Sequence, residues 1–203
     1  MTTPTSEPLS TSSPSASDQA RRDGFAARLF EATLGAFDLL AIQLGLELGL
    51  YRELRGGGPA TPAELASSAG VAERYVREWL EHQAVAGVLD VVEPSDDHGA
   101  RRYALSEAHA EVLLEPDSLA TMAPMPAFVV AAGQTWPALV EAYRRGHGVD
   151  WTAYPGLSKA QEMANRPLFR HILPNDWLPQ VKDVHARPSA GGARVADVAT
   201  GSG

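Results

Sequence analysis

The sequence predicts a mainly α-helical chain with a small β-wing, followed by the first strand of an α/β domain. Three observations support this fold class. A long apolar helical pattern runs from Phe25 to about Leu54, and two short helices and a hairpin follow between residues 59 and 110. A short apolar strand then enters a glycine turn at the end of the chain. The 203 residues suit one large domain, or a small domain with part of another.

Composition and charge exclude several classes of function. The chain contains no cysteine, which rules out disulfides, thiolate catalysis and cysteine–zinc sites. Its formal net charge of −8 argues against a nucleic-acid surface, since the basic residues are not clustered. No apolar segment follows the starting methionine as it would in a signal peptide. We therefore expect a cytoplasmic protein.

The amino-terminal segment is predicted to be a disordered tail over residues 1–22. Met1–Ser17 consists mostly of threonine, serine and proline and has almost no large apolar side chains. Such a segment cannot bury enough surface to offset the entropy lost on ordering.

The pattern that begins at Phe25 is apolar on nearly all sides of a helix. A helix of this kind is buried, either in a core or against a second copy of itself, and we favour a dimer interface. Charged residues at intervals, among them Arg28 and Asp38, argue against a membrane span. Gly35, Gly45 and Gly49 are expected to mark breaks or close contacts between helices.

Residues 23–115 are predicted to form a helical, winged-helix dimerisation domain. Thr61-Pro62-Ala63-Glu64 has a capping residue, proline at the first helical position and glutamate at the third. This helix should end at Gly70, and a second should run from Ala72 or Glu73 to Gly87. Two strands, at 88–92 and 102–105, complete the order of a winged helix.

A winged helix can bind DNA, with residues 73–86 as the recognition helix. This helix carries three acids, Glu73, Glu78 and Glu81, but only two arginines. In the wing, three acids precede the arginines in the sequence. Phosphate binding requires a positive face, so the charge balance favours a packing or dimerisation module over a DNA-binding one.

Residues 116–190 are predicted to be a helical connector. Prolines and a glycine between Ala120 and Val140 predict two helices there, the second opening at Trp136-Pro137. Later in the connector, Asn165, Arg166 and His171 are candidates for lining a pocket, with a solvated helix face as the alternative.

The last segment, residues 191–203, is predicted to be the start of an α/β domain. Val195–Val198 is predicted to be a buried parallel strand, and small residues follow it. The acid Asp197 near the strand end can accept hydrogen bonds from a ligand, and glycines at 201 and 203 allow close backbone approach. A dinucleotide-binding loop is the nearest alternative. Because a lone first strand would expose both faces, we expect the sequence to be part of a longer protein.

The segment Asp197-Val-Ala199-Thr-Gly201-Ser-Gly203 resembles motif I of class I S-adenosylmethionine-dependent methyltransferases. One departure is Ala199, which stands where the motif has its first glycine. Within residues 60–89, Ala-Thr-Pro-Ala-Glu-Leu-Ala, Glu-Arg-Tyr-Val-Arg-Glu-Trp-Leu and Ala-Val-Ala-Gly-Val-Leu resemble the amino-terminal winged helix of the bacterial members of this group. The resemblance covers about residues 25–203.

This resemblance implies an S-adenosyl-L-methionine cofactor, a Rossmann-like domain, a homodimer and a small-molecule methyl acceptor. Asp197 would bind the amino group of the cofactor's methionine part, and Ala199, Gly201 and Gly203 would let the backbone approach it. No catalytic residue and no metal ligand is assigned, and the general base and ribose-binding acid are expected beyond Gly203. Two alternatives remain: a winged-helix DNA-binding transcriptional regulator and a non-catalytic dimerisation module.

Overall fold

The computed structural model describes residues 15–194, 196 and 198. It divides the chain into two compact units, residues 1–36 and 37–203. The described chain is mostly helical, as predicted, with one small antiparallel sheet. Its elements are α1 (Ala16–Glu47), α2 (Leu50–Gly57), α3 (Pro62–Ala69), α4 (Glu73–Val85), β1 (Asp90–Glu93), β2 (Arg102–Ala104), α5 (Glu107–Leu114), α6 (Pro124–Arg145), α7 (Pro155–Pro167), a π-helix (Leu168–Trp177), α8 (Leu178–Gln180) and α9 (Lys182–Ser189).

The long helix begins earlier and ends earlier than the sequence predicts. α1 starts at Ala16 rather than Phe25, so the last residues of the predicted disordered tail are helical. The chain breaks at Gly49, which has a φ of 73° that an L-residue rarely adopts, and α2 then continues to Gly57. The described part of the first unit consists of the amino-terminal part of α1.

The predicted order of helices and strands in the winged helix is confirmed, and so are the predicted start and end of its first helix. Thr61 caps α3 in a complete capping box, because its side chain accepts from the Glu64 amide and the Glu64 carboxylate accepts from the Thr61 amide at 2.8 Å. Gly70 ends α3 in the left-handed conformation, with a φ of 67°. α4 follows at Glu73, and Gly87 turns the chain toward the hairpin with a φ of 73°.

The two wing strands are antiparallel and pair Val91 with Tyr103. Ala60 adds a third short partner through an isolated bridge to Tyr103. Beneath this sheet the helices bury one apolar core, whose largest members are Leu50, Tyr51, Leu54, Leu65, Val76, Trp79, Leu80 and Tyr103.

α1 contributes to this core by close approach at Gly45 and by the partly buried side chains of Ile42 and Leu46. Gly45 is its one buried residue among those described, and a Cβ at this position would overlap the Trp79 ring and lie 2.7 Å from Tyr51. The Trp79 indole Nε1 donates to the Ala41 carbonyl at 2.9 Å, which fixes the ring against the helix. The expectation that a glycine of α1 marks close helix contact is therefore correct at Gly45.

The prediction of two helices between Ala120 and Val140 is wrong, since α6 runs without a break from Pro124 to Arg145. Pro124 and Pro126 lie in its first turn, where the backbone N–H groups have no helical partner to lose. Pro137 lies inside the helix, where it has no N–H to donate to the carbonyl of Gly133, and nearby the Thr135 hydroxyl donates to the Ala132 carbonyl at 3.0 Å. Pro137 itself is exposed, and α6 continues through it with one backbone hydrogen bond fewer.

The remainder of the connector is helical, but it is not one regular helix. α7 leads directly into a ten-residue π-helix, in which each hydrogen bond spans one residue more than in an α-helix. The apolar spacing of Phe169, Leu173 and Trp177 predicts an α-helix here and does not reveal the wider turn.

α1 has the length and hydropathy of a membrane-spanning helix. Over its most apolar 18-residue window the mean hydropathy is 1.5, with no more than two charged residues. A single such helix near the amino terminus is weak evidence, because core helices of other proteins meet the same criterion.

Candidate ligand-binding cavity

The four predicted cofactor-binding residues, Asp197, Ala199, Gly201 and Gly203, lie outside the described residues. The predicted strand at Val195–Val198 likewise falls outside them, apart from Ala196 and Val198. Their assignment stays a prediction, and the candidate site described below is a different one.

A cavity of about 480 Å³ opens among α1, α2, α5, α6 and α7, entirely within the second unit. This volume lies in the range of small-molecule sites. Most of the wall is apolar and consists of Leu46, Leu113, Leu114, Pro116, Ala123, Pro124, Ala127, Val130, Ala131, Ala160 and Met163.

Small residues on α6 and α7 form the wall opposite α1. Ala131 is buried at the contact with Gly156, where an added Cβ would lie only 2.9 Å from the Ala131 Cβ. Ala127 and Ala160 are also small and face the cavity. The helices are therefore close together at Gly156, and the space beside this contact is not filled by large side chains.

A hydrogen-bonded pair on α1 supplies the polar part of the wall. The Gln43 Nε2 donates to Glu47 Oε1 at 2.9 Å, one helical turn away. This bond fixes the orientation of the amide, because the reverse orientation would place Gln43 Oε1 against a carboxylate. Gln43 Oε1 is consequently buried with no hydrogen-bond partner among the described residues.

Arg166 of α7, one of the three candidate pocket residues, also lines the cavity. Its guanidinium donates to Asp117 at 2.6 Å, and Arg170 lies 3.0 Å from the other carboxylate oxygen. The hydrogen bond from Arg166 lowers the pKa of Asp117, with smaller contributions from the charges of Arg166 and Arg170, while desolvation opposes them. The Arg166 charge is therefore neutralised locally.

The other two predicted pocket residues are not among the described lining residues of this cavity. The Asn165 side chain accepts a hydrogen bond from Gln161 at 2.9 Å along the surface of α7. The backbone carbonyl of His171 accepts from Asn175 in the π-helix.

Two further cations lie at the edge of the cavity. Arg52 of α2 and Lys159 of α7 are exposed, and neither makes an ion pair with another described residue. In the part of the chain that the structure describes, no group of three or more histidine or acidic side chains is arranged to hold a metal ion. The site is an apolar cavity with a charged edge, suited to an organic molecule.

Sequence reasoning did not identify the α1 and α6 walls of this cavity. A signal existed for Gln43, which is the one polar residue in the apolar run from Leu39 to Leu46. No comparable signal marks Ala127 or Lys159, because their positions depend on how α6 and α7 pack.

The face that a DNA-binding winged helix would use is not positive. On α4, Arg74 is paired with Glu78 at 3.2 Å, and Glu81 is paired with His98 of the wing loop at 2.8 Å. Arg102 of β2 is paired with Glu64 at 2.9 Å. Paired arginines beside an excess of acids do not favour phosphate binding.

Residues 36–115 match the family model of the Rv2258c-like winged HTH domain. These limits coincide closely with the part of the chain from the end of α1 through α5. No curated protein matches the chain in sequence.

Solved structures resemble a larger part of the chain. The mitomycin 7-O-methyltransferase MmcR is 25% identical over 74% of this chain and 45% of its own, with a TM-score of 0.51. The N,N-8-amino-8-demethyl-D-riboflavin dimethyltransferase RosA from Streptomyces davawensis is 22% identical over 76% and 48%, with a TM-score of 0.54. Human N-acetylserotonin methyltransferase, solved in complex with SAM, is 19% identical over 82% and 52%, with a TM-score of 0.50.

The chain spans about half the length of these structures. The likeness extends beyond the winged helix, since it covers about three quarters of the chain and the family model covers only residues 36–115. The resemblance stated from the sequence is therefore confirmed: residues 36–115 form an Rv2258c-like winged helix-turn-helix domain, and the chain has the fold of the amino-terminal part of methyltransferases.

Proposed function

We propose that the protein is an S-adenosylmethionine-dependent methyltransferase that acts on a small-molecule acceptor in the cytoplasm. The observation that carries this proposal is the shared fold with methyltransferases across both the winged helix and the helical connector. Many proteins contain a winged helix alone, so the connector makes the likeness informative.

The residues at the carboxyl end fit the cofactor by their chemistry. The carboxylate of Asp197 suits the ammonium group of a methionine moiety, and Gly201 and Gly203 permit close backbone approach. Ala199 is small enough for the same role if its φ is negative. S-adenosylmethionine supplies a methyl group already activated on a sulfonium, so the protein's part is to orient the acceptor and exclude water.

Titration calorimetry of S-adenosylmethionine into the full-length protein tests this function. We expect micromolar binding that Asp197→Ala weakens about tenfold or more, because a charge-assisted hydrogen bond is lost. Asp176→Ala, at an exposed aspartate of the π-helix, is the matched control and should leave the affinity unchanged. A folded protein that shows neither heat nor thermal shift would instead be a non-catalytic dimerisation module.

We further propose that the protein is a homodimer assembled through α1. In the first unit this helix exposes large apolar side chains, including Phe30 at 64%, and in the second unit Phe37 is exposed at 60%. Along α1 the exposed apolar set is Phe25, Leu29, Phe30, Leu34, Phe37, Leu40 and Leu44. Apolar surface of this extent is stabilised when a partner removes it from water.

The dimer proposal predicts that Phe30→Glu together with Leu34→Glu lowers the mass measured by light scattering to that of a monomer. Glu31→Gln, on the same helix, should leave the dimer intact. A wild-type protein that is already monomeric at micromolar concentration would contradict the proposal.

A further inference from the structure

We propose that the π-helix Leu168–Trp177 is a conformational joint with two hydrogen-bond registers. One is the π register of this structure, and the other is an α register that Pro174 and Asn175 hold in the minority. A change of register turns and lengthens the segment, so it moves α9 and the chain that follows relative to the winged helix. The inference does not depend on the proposed function and is tested without cofactor.

The observed register is exceptional in its length. π-helices occur mostly as single turns within α-helices, often at functional sites, whereas this one spans ten residues. At its end the Leu178 N–H donates to the Leu173 carbonyl, five residues earlier. A π segment of this length requires local features that disfavour the α register.

Pro174 is the first of these features. In an α register its ring would meet the carbonyl of Arg170, and it would have no N–H to donate to that carbonyl. In the π register the same carbonyl is in line with the N–H of Asn175 instead. The proline disfavours the α register without forbidding it, because α6 of the same chain stays α-helical through Pro137.

The side chain of Asn175 is the second feature. Its Nδ2 donates to the His171 carbonyl at 2.7 Å. In an α register this carbonyl would instead accept from the backbone N–H of Asn175, four residues later. The side chain therefore takes the place of the α-helical bond. Because this hydrogen bond is exposed, it contributes little free energy and is readily given up.

The joint is fixed at its amino end and free at its carboxyl end. Arg166 at the end of α7 and Arg170 in the first turn of the π-helix both contact Asp117, at 2.6 and 3.0 Å. Asp117 lies in the segment between α5 and α6. Beyond Arg170, no described side chain of the π-helix forms an ion pair or hydrogen bond with another element, and none of the described residues of this helix is buried. A change of register therefore displaces the carboxyl end and leaves the amino end in place.

Relaxation-dispersion NMR of the full-length protein without cofactor tests whether two registers exist. Changes of helix register occur on the microsecond-to-millisecond scale that this method detects. We expect exchange broadening at the backbone amides between His171 and Leu178, and none in α6. Asn175→Ala should raise the population of the minor register about fivefold, since the π register then loses one hydrogen bond. Asp176→Ala, at the exposed neighbour with no described hydrogen bond, should leave that population unchanged.

A crystal structure of Pro174→Ala identifies the second register. This change removes the ring and restores an N–H, so we expect the α register to become the major one, with the Asn175 N–H donating to the His171 carbonyl. The exchange broadening should disappear in the same variant. Pro137→Ala is the matched control, because it makes the same change in a helix that is already α-helical and should leave the π-helix as it is.

A Pro174→Ala protein that keeps the π register would overturn the proposal, and so would a wild-type protein without exchange between His171 and Leu178. Both variants lie at exposed positions, and circular dichroism checks that the fold is retained. The methyl-transfer function fails independently, through the absence of S-adenosylmethionine binding. If the two registers are present and the cofactor does not bind, the joint stands and the methyltransferase assignment falls.

Discussion

The core of the winged helix and the cavity beside α6 and α7 lie in the same unit, and they use apolar residues in opposite ways. The core buries bulky side chains completely and pairs the polar group of Tyr51 with Gln83. The cavity has small side chains on its α6 and α7 wall, and Gln43, whose buried amide oxygen has no described partner, also lines it. The first arrangement contributes to stability, whereas the second leaves space and an acceptor for a ligand.

Removal of a core ring should produce the largest loss of stability. Trp79→Ala deletes an indole that is buried against α1 and donates to Ala41, and we expect it to lower the free energy of unfolding by about 3–5 kcal/mol. Urea unfolding measures this. Trp136→Ala, at a tryptophan of α6 that is 63% exposed, should cost little. Equal losses would show that the core is not where the stability resides.

An added methyl group tests how tightly α1 fits the core. Gly45→Ala places a Cβ against the rings of Trp79 and Tyr51 and should cost about 1–3 kcal/mol in urea unfolding. Gly35→Ala, in the same helix with open space around it, should stabilise by up to about 1 kcal/mol. The two alanine variants should therefore change stability in opposite directions.

Two core tyrosines allow a comparison of satisfied and unsatisfied polar groups. The Tyr51 hydroxyl donates to Gln83 Oε1, and burial raises the pKa of Tyr51. Tyr51→Phe leaves that buried oxygen without its donor and should cost about 1–3 kcal/mol. The Tyr103 hydroxyl has no described partner, so Tyr103→Phe should be neutral or stabilising in the same urea assay. A larger loss at Tyr103 would contradict this account.

The smallest effect is expected at the ion pair beside the cavity, and it depends on pH. The pKa of Asp117 is lowered in the folded state, chiefly by Arg166, so the carboxylate stabilises the protein above its unfolded pKa of about 4. This stabilisation is lost as pH falls through the folded pKa. The deficit of Asp117→Asn relative to wild type should therefore shrink below about pH 4 in thermal unfolding.

The matched control is Asp96→Asn, at an exposed aspartate of the wing. Its stability difference from wild type should stay close to zero at every pH. A deficit of Asp117→Asn that is constant down to pH 2 would show that the ion pair does not carry the effect.

The sequence predicts structure well where neighbouring residues alone determine it, as they do at the ends of a helix. The capping box at Thr61 and the left-handed glycine at Gly70 fix α3 from neighbouring residues alone, and both are present. The continuous α6 is not predictable in this way, because an internal proline such as Pro137 ordinarily ends or kinks a helix and no local signal shows that α6 continues through it. The cavity is less predictable still, since it arises where α6 meets α7, at a contact set by Ala131 and Gly156.

The most direct test of the difference between core and cavity is one enlarging substitution made in each. Ala66 is buried in the winged-helix core, and Ala127 faces the cavity. We predict that Ala66→Leu lowers the free energy of unfolding by about 1–3 kcal/mol in urea, whereas Ala127→Leu fills empty space and leaves it unchanged or raised. Equal destabilisation by the two substitutions would contradict the account, because it would mean that the cavity is as tightly packed as the core.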